Sequence, residues 1–303
     1  MAVSLGVACI TPAQAATTES VSVVVSGDSY GAGVGANAYQ PDTVGDCWRS
    51  ANGPGEQVVA MLRAQGKNVT VRNVACSGAT IADMSKPHPG TGTVQLDAMD
   101  SSTNLITLFI GGNDVKFGPV AGLCIQSDCT EALQSAQLLL PTMGVSLVKL
   151  FDKIKARSPH ARVILFGYGQ PVTSGANANV AGLDPICDPS ILTSQERSGA
   201  AKFAARLDLT LRLAAVTARL RGVDVRFISP FASSWPGSVN LRPEFEGRSL
   251  CSTPVPYQAY RGLDALAPPP PSGPGDEAGQ TAIFHGEELN YHALAQLAVG
   301  SLN

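Results

Sequence analysis

The sequence predicts an α/β fold built on a parallel sheet, and three observations carry that expectation. Short β-branched runs alternate with stretches of helical periodicity, the order that βαβ units require. Three of those runs lead into small, turn-forming residues, GDS, SGAT and GGND, as strand ends in such sheets do. A chain of 303 residues with 44% hydrophobic content is long enough to bury a core and too apolar to be disordered.

Val21–Val25 (VSVVV) is the first predicted strand and opens directly into Gly27-Asp28-Ser29. Gly55–Gln65 has helical periodicity and leads to a second strand, Val69–Val74, which ends in Ala75-Cys76-Ser77-Gly78. Leu105–Ile110 is the third, ending in Gly111-Gly112-Asn113-Asp114. Leu133 to Ala156 reads as a helix with a possible break at Pro141, where the missing N–H and fixed φ interrupt a ladder. Val163–Phe166, Ser194–Leu220 and Val223–Ile228 follow as strand, long helix and strand. Glu287–Leu302 is a terminal helix with an expected apolar stripe at Leu289, Ala293, Leu297 and Gly300. Residues 252–280 are an insertion with a proline core at Pro268–Pro271, which can neither continue a helix nor pair in a sheet. It leads straight to His285, so it is either a lid over that residue or a solvated linker. No internal repeat or second domain is visible, and residues 20–303 are expected to form one domain.

Composition narrows the function classes. The formal charge is −3 with only 15% charged residues, which leaves no basic footprint for nucleic acid and no polybasic membrane surface. No run reaches the ~18 apolar residues of a membrane span, so any membrane contact is expected to be transient. The first fifteen residues carry a short apolar stretch ending in Ala13-Gln14-Ala15, a small-x-small pattern for signal peptidase without the usual positive start. They are expected to be the remainder of an export leader. Of seven cysteines, Cys9 would leave with it. Cys47, Cys76, Cys124, Cys129, Cys187 and Cys251 remain, and six cysteines allow fifteen pairings between which sequence does not choose. The simplest scheme joins chain neighbours, for at most roughly 2–4 kcal/mol each by the loop-entropy argument. None forms a C-x-x-C and no histidine pair has metal-ligand spacing beside them, so a zinc site is not expected.

Ser29 lies beyond the first strand in a glycine-rich loop, where backbone and substrate can approach closely; it is a nucleophile candidate if a base is within reach, and otherwise an N-cap. Four histidines could be that base. His88 and His160 sit beside prolines in loops, and His292 lies inside the last helix, whereas His285 precedes that helix and can point over the sheet. The Ser29 N–H, the Gly78 N–H and the Asn113 amide could serve as oxyanion donors, all from ends of one inferred sheet; Asn113 also suits a plain turn. Gly31-Ala32-Gly33-Val34-Gly35-Ala36 satisfies a dinucleotide-binding pattern, but five residues separate it from the strand end and the next strand is too far away.

Taken in order, GDSYGAGVGA, ACSGAT, GGNDVKFG and FHGEELNYHALAQLAV resemble the SGNH (GDSL-type) hydrolases, especially the secreted actinobacterial lipase and esterase branch. The resemblance spans residues 21 to 300. It implies a three-layer α/β/α sandwich with a central parallel five-stranded sheet of flavodoxin-like order, and carboxylic-ester hydrolysis without metal or cofactor. It also implies Ser29 as nucleophile, His285 as base, and Ser29, Gly78 and Asn113 as the oxyanion hole. The same neighbour disulfides are implied, with Asp28 organising its loop. The C-terminal block departs from the family's Asp-x-x-His-Pro-Asn: Ala282 stands where the aspartate would be, and Gly286-Glu287 replace Pro-Asn. Support for His285 is therefore expected from a backbone carbonyl near Ala282 or Ile283, the alternatives being Asp276, Glu277 or Glu287. The expected protein is a secreted monomer acting on a small-molecule or lipid ester. A carbohydrate O-deacetylase using the same residues, or an inert secreted binding protein on the same scaffold, are the competing readings.

Overall fold

The computed structural model describes residues 19–235, 238–255 and 257–302. The expected leader, residues 1–15 with Cys9, lies outside them. Five strands, β1 (Ser20–Gly27), β2 (Asn68–Asn73), β3 (Leu105–Phe109), β4 (Arg162–Phe166) and β5 (Val225–Ile228), form an all-parallel sheet in the order β2-β1-β3-β4-β5. Val23, Val24, Val25 and every residue of β3 are buried, as strands covered on both faces must be.

The helices follow from right-handed crossovers. Chain direction across the sheet reverses between β1 and β3, so α2 (Pro54–Ala64) covers one face while α5 (Leu140–Arg157) and α6 (Ser194–Leu220) cover the other. The terminal helix α7 (Glu288–Gly300) packs against α2. A one-turn helix α1 (Ser29–Ala32) follows β1 directly, α3 (Phe117–Gln126) and α4 (Thr130–Gln137) precede α5, and β6 (Phe231–Trp235) pairs antiparallel with β7 (Ser238–Leu241). The point of reversal is where open α/β sheets bind ligands, and the GDS and GGND loops flank it.

Four local outcomes differ from or refine the sequence reading. The helix expected over Leu133 to Ala156 is two helices, and Pro141 sits in the first turn of α5, where its missing N–H costs nothing. Sequence pattern left α3 unassigned because Gly118, Pro119 and Gly122 argue against a helix; burial of Val120 and Cys124 holds it in place. The apolar stripe of α7 is rotated from the expected one: Tyr291, Leu294, Ala295 and Ala298 are buried, whereas Leu289 is 42% exposed. The proline-rich segment is fastened to the body. Asp276 accepts from Tyr39 Oη at 2.6 Å, Asn37 Nδ2 donates to the Gly275 carbonyl at 3.1 Å, and Arg261 Nη1 donates to the Pro274 carbonyl at 2.7 Å. Disulfides join Cys47 to Cys76, Cys124 to Cys129 and Cys187 to Cys251.

Candidate active site

The loop after β1 is built around one glycine that no other residue could replace. Gly27 has φ +123, and a Cβ there would lie 2.0 Å from the Phe109 carbonyl oxygen of the paired strand. Asp28 then caps α1, its Oδ1 accepting from the Tyr30 N–H at 3.0 Å and its Oδ2 from the Tyr168 hydroxyl. Tyr168 Oη in turn accepts from the Gly112 N–H at 2.9 Å, so one buried hydroxyl ties the GDS loop to the GGND loop. Burial pushes the Asp28 carboxyl up to about 7, against those hydrogen bonds. Ser29 is the first residue of α1, so its N–H has no intrahelical partner.

The loop after β2 enters the same cleft. Gly78 adopts φ +80, and among the described residues its N–H donates to no protein atom. Asn113 Nδ2 donates to the Ala79 carbonyl at 3.0 Å, and Asp114 Oδ2 accepts from the Ile81 N–H at 3.0 Å, fastening the SGAT turn to the GGND turn. The Cys47–Cys76 disulfide ends two residues before Gly78 and restrains that turn from its other side.

His285 meets these loops from the far end of the chain. Its Nε2 lies 2.7 Å from Ser29 Oγ, and its Nδ1 lies 3.2 Å from the Ile283 carbonyl. A carbonyl can only accept, so Nδ1 carries the proton and Nε2 presents a lone pair to the serine hydroxyl. Burial holds the imidazole down at about 4, only partly offset by the backbone carbonyls of Ile283 and Ala282. Backbone bonds fix the segment: His285 N–H donates to Ala282 O at 2.9 Å, and Arg261 N–H donates to His285 O at 2.8 Å. The preceding Phe284 sits at φ +64, a strained conformation for a bulky residue. Tyr30 supports it there, its hydroxyl donating to Phe284 O at 2.5 Å and its ring lying 4.7 Å from the imidazole.

Ser29, Gly78, Asn113, Ile283 and His285 thus line one cleft of about 300 Å³, with Gln280 and Thr281 at the end of the proline-rich segment forming part of its wall. The acidic candidates do not approach His285. Asp276 is held by Tyr39, and Glu287 lies 3.6 Å from Arg261 Nη1, its carboxyl pushed up to about 8 by burial. Glu277 donates its N–H to Asn37 Oδ1 at 3.1 Å. His88, His160 and His292 lie elsewhere; His292 Nδ1 is 2.7 Å from Gln57 Oε1. Sequence reasoning missed Tyr30, Tyr168, Asp114 and Arg261. Tyr30 and Asp114 adjoin motif residues and could have been weighed, whereas Tyr168 and Arg261 carry no local signal. Among the described residues one cluster has metal-ligand chemistry, Asp46, Cys47, Cys76 and His88, but its two sulfurs are bonded to each other. No helix among the described residues is long and apolar enough to cross a membrane.

Comparisons with known proteins agree with this arrangement. The GDSL-like Lipase/Acylhydrolase family matches residues 25–242, which takes in the first three loops and stops short of His285. A lipase of Streptomyces rimosus is 31% identical over 233 residues, covering 76% of this chain and 73% of the relative. Lipase 2 of Streptomyces coelicolor is 34% identical over 194 residues, 58% of this chain and 59% of that protein. In fold, the chain is similar to an extracellular lipase of Streptomyces rimosus, with a TM-score of 0.67 and 23% identity, over 93% of this chain and 99% of that one. The phospholipase A1 of Streptomyces albidoflavus NA297 gives 0.66 and 22%, over 93% and 98%. With most of its length matched and the serine and histidine facing each other across the sheet end, the chain belongs to the GDSL-like lipase/acylhydrolase family.

Proposed function

We propose that the chain is a secreted serine esterase or lipase that hydrolyses carboxylic esters through an acyl-enzyme on Ser29, with His285 as base and no carboxylate in the relay. The observation that carries this reading is the 2.7 Å approach of His285 Nε2 to Ser29 Oγ, with Nδ1 turned onto the Ile283 carbonyl. His285 takes the Ser29 proton as Oγ attacks the ester carbonyl carbon. The resulting oxyanion is held by the Ser29 N–H, the Gly78 N–H and the second Asn113 amide hydrogen. The tetrahedral intermediate collapses, the alcohol leaves with the proton from His285, and a water activated by His285 releases the acid. The Ile283 carbonyl, in place of an aspartate, orients the ring and faces the imidazolium when it forms. The three disulfides and the extracellular name of the Streptomyces rimosus relative support an exported location.

A fluorophosphonate probe tests the reading directly. Oγ displaces fluoride at phosphorus, so stoichiometric labelling at Ser29 is expected, together with turnover of p-nitrophenyl esters. An unlabelled Ser29 would favour an inert binding protein, and hydrolysis confined to acetyl sugars would favour an O-deacetylase. Asn113→Ala is expected to lower kcat by about 10²–10³ with little change in KM, the cost of one oxyanion donor. Asp276→Asn and Glu287→Gln should each stay within about tenfold of the parent kcat. Asp276→Asn should still lower Tm, because it weakens the link between Tyr39 and the proline-rich segment. A hundredfold loss of kcat in either carboxylate variant would replace the carbonyl-supported dyad with a triad.

A further inference from the structure

We propose that Arg261 is a positioning residue for the reaction: its side chain ties the segment that carries His285 to the loop that carries Ser29. It thereby sets the distance across which the proton moves. The proposal rests on the roles given above to Ser29 and His285 and deepens them. His285 sits neither on a helix nor on the central sheet. Residues 284–287 run antiparallel to residues 259–261, with a bridge between Tyr260 and Gly286. Phe284 N–H donates to Arg261 O at 2.7 Å, Arg261 N–H to His285 O at 2.8 Å, and Glu287 N–H to Ala259 O at 3.0 Å. A two-chain ribbon of this kind is marginal by itself, so its place over the cleft depends on what ties it to the body. The Tyr30 hydroxyl, on Phe284 O, is one such tie.

The Arg261 side chain is the other, and it reaches the nucleophile loop itself. Nε donates at 2.9 Å to the carbonyl of Gly35, six residues after Ser29. Gly35 lies against the ribbon: a Cβ there would come within 2.4 Å of Gly286 O and 3.2 Å of His285 Cβ. Nη1 donates to Asp264 Oδ2 at 3.0 Å and to the Pro274 carbonyl at 2.7 Å, and faces Glu287 Oε1 at 3.6 Å. The guanidinium is buried, with Asp264, Glu287 and Asp276 as the negative groups around it. A planar fork with donors in several directions holds Gly35, Asp264 and Pro274 at fixed separations, which a single ammonium cannot do. A misplacement of about 1 Å between reacting groups can cost about 10²-fold in rate. The same closure keeps water off the imidazole, whose ring neighbours are Tyr30 of α1 and the apolar Phe117 of α3.

Two substitutions separate the tie from the charge. In Arg261→Lys a methylene replaces Nε, so the Gly35 carbonyl loses its donor while the ammonium still faces Asp264. In Arg261→Gln the amide nitrogen falls where Nε was and can keep the Gly35 bond, but Asp264 is left without its cation. The readout is p-nitrophenyl ester turnover well below either Tm. Arg261→Lys should lower kcat about 10- to 100-fold with KM within about threefold of the parent. Its acid limb in kcat/KM should rise by about one pH unit or more, toward the ordinary 6.5, because water now reaches the ring. Arg261→Gln should melt below Arg261→Lys yet turn over at least about fivefold faster. A purely structural role would instead rank kcat with Tm. That ranking overturns the positioning role, as does an Arg261→Lys enzyme whose kcat stays within about threefold of the parent or whose acid limb is unmoved. Should Arg261→Gln fail to fold, Arg261→Lys decides alone. Each of these failures leaves the ester-hydrolase reading standing, whereas a parent enzyme with neither ester turnover nor a fluorophosphonate label at Ser29 overturns both.

Discussion

Ser29→Ala is expected to lower kcat for p-nitrophenyl ester hydrolysis by at least about 10⁴-fold, with little change in Tm. The substitution removes one oxygen and with it the atom that forms the acyl bond. It leaves Gly27, the Asp28 cap and the Tyr168 bridge in place, because none of them depends on the hydroxyl. The proposed oxyanion donors also survive, so the expected residual rate is that of water attacking a polarised carbonyl beside a neutral imidazole. In the proposed mechanism Ser29 and His285 act as one unit, so removing both should cost little more than removing Ser29 alone. A Ser29→Ala enzyme that keeps more than about 1% of its activity would mean that the nucleophile lies elsewhere.

The sheet and the two N-terminal loops were legible because their signals are local. Val21–Val25 and Leu105–Ile110 are β-branched, mostly apolar runs of strand length, and Gly27 at the end of β1 and Gly78 and Gly112 in the loops after β2 and β3 mark where the backbone must turn. His285 was legible by elimination and by resemblance. The carbonyl that faces its Nδ1 was legible only through a missing acid: Ala282 at the family's aspartate position pointed to a carbonyl near Ala282 or Ile283, but any residue at 283 supplies one, and only the backbone path decides that it meets Nδ1. That path is set by contacts between distant parts of the chain. Tyr30 reaches Phe284 across 254 residues, Tyr168 reaches Asp28 across 140, and Arg261 donates to the Gly35 carbonyl across 226. Periodicity sees none of these. Helix α3 escaped for a related reason: tertiary burial and a disulfide override the poor helix propensity of its glycines and proline. In α7 the period was right and the phase was wrong, because Tyr291 enters the core and donates its hydroxyl to the Val34 carbonyl.

Replacing His285 by Ala should cost about as much as losing Ser29, at least about 10⁴-fold in kcat, and the pH profile of the parent enzyme should show why. Only the neutral imidazole can accept the serine proton. Burial disfavours the charged ring and holds His285 near 4, below its ordinary 6.5. As pH falls through that value the ring gains a proton, Nε2 stops accepting, and kcat/KM drops. Between about pH 5 and 7 the ring stays neutral, so activity should be flat where a histidine of ordinary pKa would already be failing. A carboxylate partner would work in the opposite direction, stabilising the imidazolium and lifting the acid limb toward or above 6.5. The limb therefore reports what faces Nδ1. An acid limb near 4 in kcat/KM, abolished along with activity in His285→Ala, supports a carbonyl in that position. A limb at 6.5 or higher that returns toward lower pH in Asp276→Asn or Glu287→Gln would mean that this acid reaches the ring during turnover, whereas one that moves in neither variant would belong to another group, such as Asp28 with its carboxyl at about 7.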